Sequence, residues 1–387
     1  MHILEIPSFF PPYGGLFCLD QSKALQALGH EVRILSNVQL GLTIGARDYF
    51  CLPYGRYEHQ MEGLTVFQSY QRGLPKMVRY NVGRWVATVR SMFADYVERY
   101  GRPDVLHAHC VKWAGYAAML ISRDYGMPYV VTEHLALHDF AGEFGMPPCD
   151  SWQIPLLKES LQRASCVIPV SREIVTDLEG YFGTDYRWKA ISNMIDTDFY
   201  ACRPRNPLQG RPFRFCCLGL FIERKGYDVL FRAFRKVKAS CPQAELHIAG
   251  RATDSVKCRR MVSDMGLGQN VKIHGELDKD GVRDLLYQSD ATVLATRGET
   301  QCLMLLEALS TGIPAISTEA IPASVRPKVG CTFVPVDDVD ALAAAMLQTL
   351  AEPPMDGKTL SDEARRIASP AAIGRQIELV LKESLLQ

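Results

Sequence analysis

Short β-type runs alternate with longer helical patterns along almost the whole chain, and that alternation leaves few architectures open. Parallel strands need crossover connections and helices supply them, so the pattern implies parallel sheets between helical layers. In the first half, strands are expected at residues 3–6, 32–35, 105–109, 129–132, 166–170 and 189–192. Helical spacing is expected over 16–28, 77–100, 115–125 and 152–164. Ser171, directly after a strand with Glu173 in the next turn, reads as a helix cap.

The alternation stops at residues 201–212, Ala-Cys-Arg-Pro-Arg-Asn-Pro-Leu-Gln-Gly-Arg-Pro, which read as a linker. It then restarts, with strands expected at 213–217, 246–249, 271–274, 291–295 and 315–317. Helices are expected at 226–240, 255–265, 279–288, 303–311, 339–351 and 371–386. A chain of 387 residues exceeds what one core of ~250–300 residues holds. The expected organisation is α/β, two doubly wound Rossmann-like domains facing across a cleft. Domain boundaries are expected at 1–200, a linker over 201–212, a second domain at 213–370, and a last helix over 371–387 crossing back to the first domain. In such sheets ligands bind at the carboxyl ends of strands, so the loops after strands are where chemistry belongs.

Composition removes other classes. Lys+Arg and Asp+Glu both number 43, which argues against a protein that coats nucleic acid. Hydrophobic residues at 47% and charged residues at 22% argue against disorder. No run of about 18 apolar residues is present to span a membrane. Met1-His2-Ile3-Leu4-Glu5-Ile6 puts a carboxylate inside the early apolar run, so no signal peptide is expected and the compartment is expected to be the cytoplasm. The 12 cysteines lack C-x2-C or zinc spacing and read as small buried thiols in a reducing compartment.

Chemistry concentrates in three loops. Residues 296–314, Thr-Arg-Gly-Glu-Thr-Gln-Cys-Leu-Met-Leu-Leu-Glu-Ala-Leu-Ser-Thr-Gly-Ile-Pro, follow an apolar strand. A helix starting near Cys302 leaves Glu299 in the strand-to-helix loop and Glu307 about a turn and a half into the helix. Amides at that helix start suit a diphosphate. Phosphate repels carboxylates, so sugar and ribose hydroxyls are their natural partners; the plain alternative is one capping and one solvated glutamate. Residues 219–226, Gly-Leu-Phe-Ile-Glu-Arg-Lys-Gly, place Arg224 and Lys225 after a strand, where a cation neutralises a leaving diphosphate or simply decorates a solvated turn. Pro11-Pro12-Tyr13-Gly14-Gly15 gives either close backbone approach to a ligand or a tight turn. It is not G-x-G-x-x-G, which weakens a dinucleotide reading.

Taken in order, these elements resemble the retaining GT-B glycosyltransferases of family 4, over nearly the whole chain. The resemblance adds Gly29-His30-Glu31-Val32, Asp104-Val105-Leu106-His107-Ala108-His109, Thr132-Glu133-His134, Val170-Ser171, and Asn193 followed by Asp196 and Phe199. Its most specific part is Glu299 and Glu307 running into Ala308-Leu309-Ser310-Thr311-Gly312-Ile313-Pro314. It implies that Lys225, with Arg224 beside it, binds the donor diphosphate and that Glu299 contacts the transferred sugar. Glu307 would hold the ribose, the amides of Gly15, Cys302 and Leu303 would touch phosphate, and His134 would approach the donor sugar. The chain departs from the family at Leu220 (usually Arg), at Gln301-Cys302 (commonly Phe-Gly) and at Asn193-Met194 (usually Asn-Gly).

The implied activity is metal-independent transfer of a hexosyl unit from a nucleotide-diphosphate sugar to a glycan or lipid-linked glycan, in cell-surface polysaccharide synthesis. No cofactor, metal or nucleic acid is expected. A nucleotide-sugar epimerase of the same fold, or a degenerate sugar-nucleotide-binding subunit, are the alternatives. Asp196-Thr197-Asp198, Asp278-Lys279-Asp280 and Asp338-Val339-Asp340 each read D-x-D, the metal–diphosphate motif of a different glycosyltransferase fold; capping is the competing reading. His107 and His109 share a strand face, with no third ligand evident in the sequence. Arg72, Lys76, Arg79, Arg84, Arg90, Arg99 and Arg102, interleaved with apolar residues, fit a packed amphipathic helix or a peripheral contact with the inner membrane face.

Overall fold

The computed structural model describes residues 1–204 and 210–386. It divides into two compact units, one of Met1–Met194 with the described residues from Ile373 onward, the other of Ile195–Ala372. The division therefore falls at Met194/Ile195 and not after residue 200, and before Ile373 and not after residue 370. Packing explains the early boundary: the Ile195 amide donates to the Ala368 carbonyl at 2.9 Å, and Ile195 and Tyr200 are buried among second-unit residues. Of the linker expected over 201–212, residues 205–209 lie outside the described residues.

The first unit carries strands β1 (His2–Pro7), β2 (Glu31–Leu40), β3 (Gly55–Met61), β4 (Leu64–Arg72), β5 (Val105–His109), β6 (Tyr129–Glu133) and β7 (Cys166–Pro169) in the order β3-β4-β2-β1-β5-β6-β7. All neighbours are parallel except β3, which pairs antiparallel with β4 across a Glu62-Gly63 turn. Both turn residues have positive φ, 50° and 82°, the condition for a type I′ hairpin. Strands β5 and β6 are buried on both faces, as helical crossovers require. Helix Val78–Tyr100 turns Val82, Trp85, Val86, Val89, Met92, Phe93 and Tyr96 into the core, the i, i+3, i+4, i+7 stripe of a packed amphipathic helix. Met77, Val78 and Tyr80 stay exposed at its start. The last helix, Pro370–Ser384, buries Ile373, Ile377, Val380 and Leu381 in the cluster that contains Ile3, Leu25 and Ile34.

The second unit carries β8 (Arg214–Leu218), β9 (Glu245–Ala249), β10 (Val271–Gly275), β11 (Ala291–Leu294), β12 (Ala315–Thr318) and β13 (Cys331–Val334), all parallel, ordered β10-β9-β8-β11-β12-β13. This is the doubly wound order in which strand sequence reverses between β8 and β11. In the first sheet the reversal lies between β1 and β5.

Residues 189–192 form no regular strand; Lys189 and Ile191 donate to Val167 and Pro169 of β7, and Trp188 bridges Val167. Ser171 does not cap: its hydroxyl is buried without a partner, and Arg172 stands at the N-cap of helix Glu173–Asp177. Six of the 12 cysteines are buried, as expected of small core thiols, but Cys51 is exposed. No helix of the described residues is long and apolar enough to cross a membrane.

Candidate functional site

In the second unit, the loops after β8 and β11 are the two that flank the switch point, and they hold the basic and acidic residues singled out above. Lys225 and Glu299 form an ion pair, Nζ to Oε1, at 2.5 Å, with side chains 13% and 9% exposed. Thr296 donates its hydroxyl to the same oxygen at 2.9 Å. The Arg224 guanidinium donates to the Gly298 carbonyl at 2.8 Å and lies 3.7 Å from Glu299 Oε2. Two cations thus face one carboxylate, leaving a surplus of positive charge on these loops.

Backbone geometry fixes this arrangement. Gly226 caps helix Tyr227–Ser240 at φ 64°, and a Cβ there would stand 1.8 Å from the Ala295 carbonyl oxygen. The close approach locks the loop after β8 against the end of β11, and the Arg297 amide adds a 2.7 Å bond to the Arg224 carbonyl. Arg297 itself is held by Asp228 at 2.9 Å and Asp337 at 2.7 Å.

Cys302 stands at the N-cap of helix Leu303–Ser310 with φ 74° and no side-chain cap. Burial, followed by the Glu299 charge, raises its thiol, and the side chain packs with Met304 on the apolar cluster of Leu305, Ala315 and Ile321. The amides of Leu303 and its successor open the helix. Glu307, on the same helix, meets the phenol of buried Tyr200, whose hydroxyl is pushed up by burial and by that carboxylate. Leu220 is exposed.

In the first unit, Gly15 caps helix Leu16–Ala27 at φ 78°, and a Cβ would lie 1.9 Å from the Phe9 carbonyl oxygen. The glycine is thus required by the chain's own turn, whatever ligand it meets. His134 follows β6; Phe17 stacks on its ring at 3.6 Å, and both ring nitrogens are buried without protein hydrogen-bond partners. Burial holds His134 well below 6.5, with His109 and His107 adding to the shift. Glu133 accepts from the amides of Val111, His134 and Leu135 at 2.8–2.9 Å. Burial nevertheless raises its carboxyl to about 7.

The third partner of His107 and His109 is Glu5, a residue that sequence inspection passed over. Strand register sets Glu5 opposite His107, and Glu5 Oε2 lies 3.0 Å from His107 Nδ1 and 2.7 Å from His109 Nε2. Burial alone would raise the Glu5 carboxyl; His107 and then His109 outweigh it and hold it at about 2. Among the described residues these three are the group whose donor atoms cluster closely enough to invite a metal, within 4.8 Å. Their separations are those of direct hydrogen bonds, which satisfy the carboxylate without an ion.

The D-x-D aspartates have other occupations. Asp278 and Asp338 cap helices through Gly281 and Ala341. Asp196 accepts from the Phe199 amide and pairs with Lys279, Asp198 pairs with Arg365, Asp280 with Arg283 and Asp340 with Lys236.

A family model described as "Glycosyl transferases group 1" matches residues 212–352, and one described as "Glycosyl transferase 4-like domain" matches residues 15–194. A glycogen synthase of Mycobacterium tuberculosis is 26% identical over 376 residues, covering 91% of this chain and 87% of the relative. A GDP-mannose-dependent phosphatidylinositol monomannoside mannosyltransferase of Mycolicibacterium smegmatis is 27% identical over 221 residues, 52% of this chain and 58% of that one. Among solved structures, a sucrose-phosphate synthase of Thermosynechococcus elongatus superposes with TM-score 0.77 at 19% identity, covering 99% of both chains. An Anabaena protein, HepE, solved with UDP-glucose, gives 0.71 at 17% identity over 99% of this chain and 100% of its own.

Proposed function

Because this chain belongs to the group 1, family 4 glycosyltransferases with the GT-B fold, nucleotide-sugar-dependent enzymes, we propose a specific reaction for it. It is a retaining, metal-independent transferase that moves a hexosyl unit from a nucleotide-diphosphate sugar to a glycan or lipid-linked glycan, in cell-surface polysaccharide synthesis on the cytoplasmic side of the membrane. The observation that carries this reading is the Lys225–Glu299 pair at 2.5 Å on the two loops that flank the switch point.

An ammonium has three N–H groups. Glu299 takes one from Lys225, and the others can meet diphosphate oxygens as charge builds on the leaving group. Arg224 supplies a second cation, in the place of the charge absent at Leu220. Glu299, held by Lys225 and Thr296, presents its carboxylate to hydroxyls of the transferred sugar, and the acceptor attacks from the face the diphosphate leaves. Amides of Cys302 and Leu303 receive phosphate oxygens. Glu307 shares its carboxylate between Tyr200 and the ribose. Gly15 and His134 are assigned to donor contacts on resemblance alone. Exposed Met77, Val78 and Tyr80 beside Lys76, Arg79 and Arg84 support a peripheral contact with an anionic bilayer.

Melting the protein with UDP, GDP and ADP identifies the donor base, since a ligand at 100 Kd adds about 2.7 kcal/mol of apparent stability. The matching nucleotide sugars are then followed by NMR with a glycan acceptor. An α-linked product from an α-linked donor is expected; inversion of the anomeric centre, or conversion of the donor without acceptor, would refute the proposal.

A further inference from the structure

Glu5 sits in the middle of strand β1 between Leu4 and Ile6, and it is wholly buried, as are His107, His109 and Thr132. An apolar residue would fill this place without desolvating a charge, so an ionised carboxylate here asks for a reason. Its contacts supply one. A carboxylate only accepts hydrogen bonds, so each imidazole must donate through the nitrogen that faces it. His107 donates through Nδ1, and its Nε2 lies 2.7 Å from the Thr132 hydroxyl. His109 donates through Nε2, and its Nδ1 is left buried with no partner.

That nitrogen is not alone. The His134 ring stacks within 20° of parallel to His109 with centroids 5.8 Å apart, and both His134 nitrogens are also buried without a protein partner. His109 ends β5 and His134 follows β6, so the three orphan nitrogens gather at the carboxyl ends of strands beside the β1/β5 reversal. Unpaired polar atoms in a core are costly, and the carboxyl ends of strands at such a reversal are where ligands bind in doubly wound sheets.

We propose that Glu5 is a positioning residue that locks His109 as the tautomer protonated on Nε2, presenting a bare Nδ1 to accept a hydrogen bond from a substrate hydroxyl. The proposal rests on the glycosyl-transfer reading for its substrate, but the tautomer does not. Glu5 touches no substrate; it acts through His109. Glutamine is the informative replacement because it keeps the shape yet brings an amide donor that can be satisfied only if one imidazole turns or changes tautomer.

The test uses the whole protein labelled with 15N-histidine, the His109 signals being assigned by His109→Gln. Long-range proton–nitrogen correlation should show His109 protonated at Nε2 and bare at Nδ1, and Glu5→Gln should abolish that single tautomer. In the transferase assay Glu5→Gln should lower kcat about tenfold, one good hydrogen bond's worth, with KM for the nucleotide sugar within about twofold. A wild-type His109 protonated at Nδ1 would overturn the proposal. So would Glu5→Gln in which His109 keeps that tautomer, Glu5→Gln with an altered tautomer and unchanged kcat, or purified protein carrying stoichiometric zinc on these side chains. If Glu5→Gln does not fold, the wild-type spectrum decides the tautomer and the kcat of His109→Gln decides its use. Wild-type protein that transfers from no nucleotide sugar would sink the glycosyl-transfer reading, while the tautomer is still read directly.

Discussion

At the scale of single residues, the chain commits most heavily where two backbones meet. Gly226→Ala would drive a methyl into the Ala295 carbonyl oxygen at 1.8 Å, and Gly15→Ala into that of Phe9 at 1.9 Å. Each substitution should cost at least about 2 kcal/mol in urea melts, since φ is positive and the obstacle is backbone. Glu299→Gln keeps the Thr296 bond, so it should lower kcat by about 10²–10³ while Tm moves only by about a few degrees. Unchanged turnover would remove Glu299 from the mechanism. Acid sensitivity follows from the first-unit cluster. His109 and His134 are held below 6.5 by burial, so the unfolded chain takes up their protons first and stability declines as pH falls below 6.5. Glu5, held at about 2 against an ordinary 4.5, adds a second loss between those values, and Glu5→Gln should flatten that lower limb in a Tm-versus-pH series. Lys225, Arg224 and Glu299 were legible because each stands in a short loop straight after an apolar strand. Glu5 was not, because its partners lie more than 100 residues away and only strand register joins them.

At the scale of elements, apolar runs bounded by turns gave themselves away, and β1, β5, β6, β9 and β11 lie where their sequences put them. The β3–β4 hairpin escaped because β3, Gly-Arg-Tyr-Glu-His-Gln-Met, is a largely exposed edge strand with no apolar face to announce it. Helix Gly357–Ala368 escaped as well; its Leu360 and Ala364 pack on Leu309, a contact with no local signature. The helix at 303–310 was legible, but not the way it begins. Cys302 takes a left-handed backbone that glycine adopts at no steric cost, and it buries its side chain in return. These effects oppose each other. Cys302→Gly should therefore change stability by less than about 1 kcal/mol, whereas Cys302→Val, β-branched at positive φ, should lose more than about 2 kcal/mol in the same melt.

At the scale of the molecule, two doubly wound sheets were readable from the β/α alternation and its interruption, while the place where one unit hands over to the other was not. In sequence, residues 195–200 read as the end of the first domain, yet Ile195 and Tyr200 are core residues of the second unit. The last helix matters more. Burying Ile373, Ile377, Val380 and Leu381 contributes about 1.5–3 kcal/mol apiece, a sum comparable to the whole stability of a domain. Truncation after residue 369 should therefore abolish the cooperative unfolding of the first unit, seen as loss of one calorimetric transition with the second retained. Time of synthesis gives the same helix another meaning. A ribosome delivers residues 1–194, then all of the second unit, and only then the side chains that close the first core. The first unit must wait for those side chains with Ile3, Leu25 and Ile34 incompletely covered, so the unit whose residues are made earlier is the one that finishes folding last.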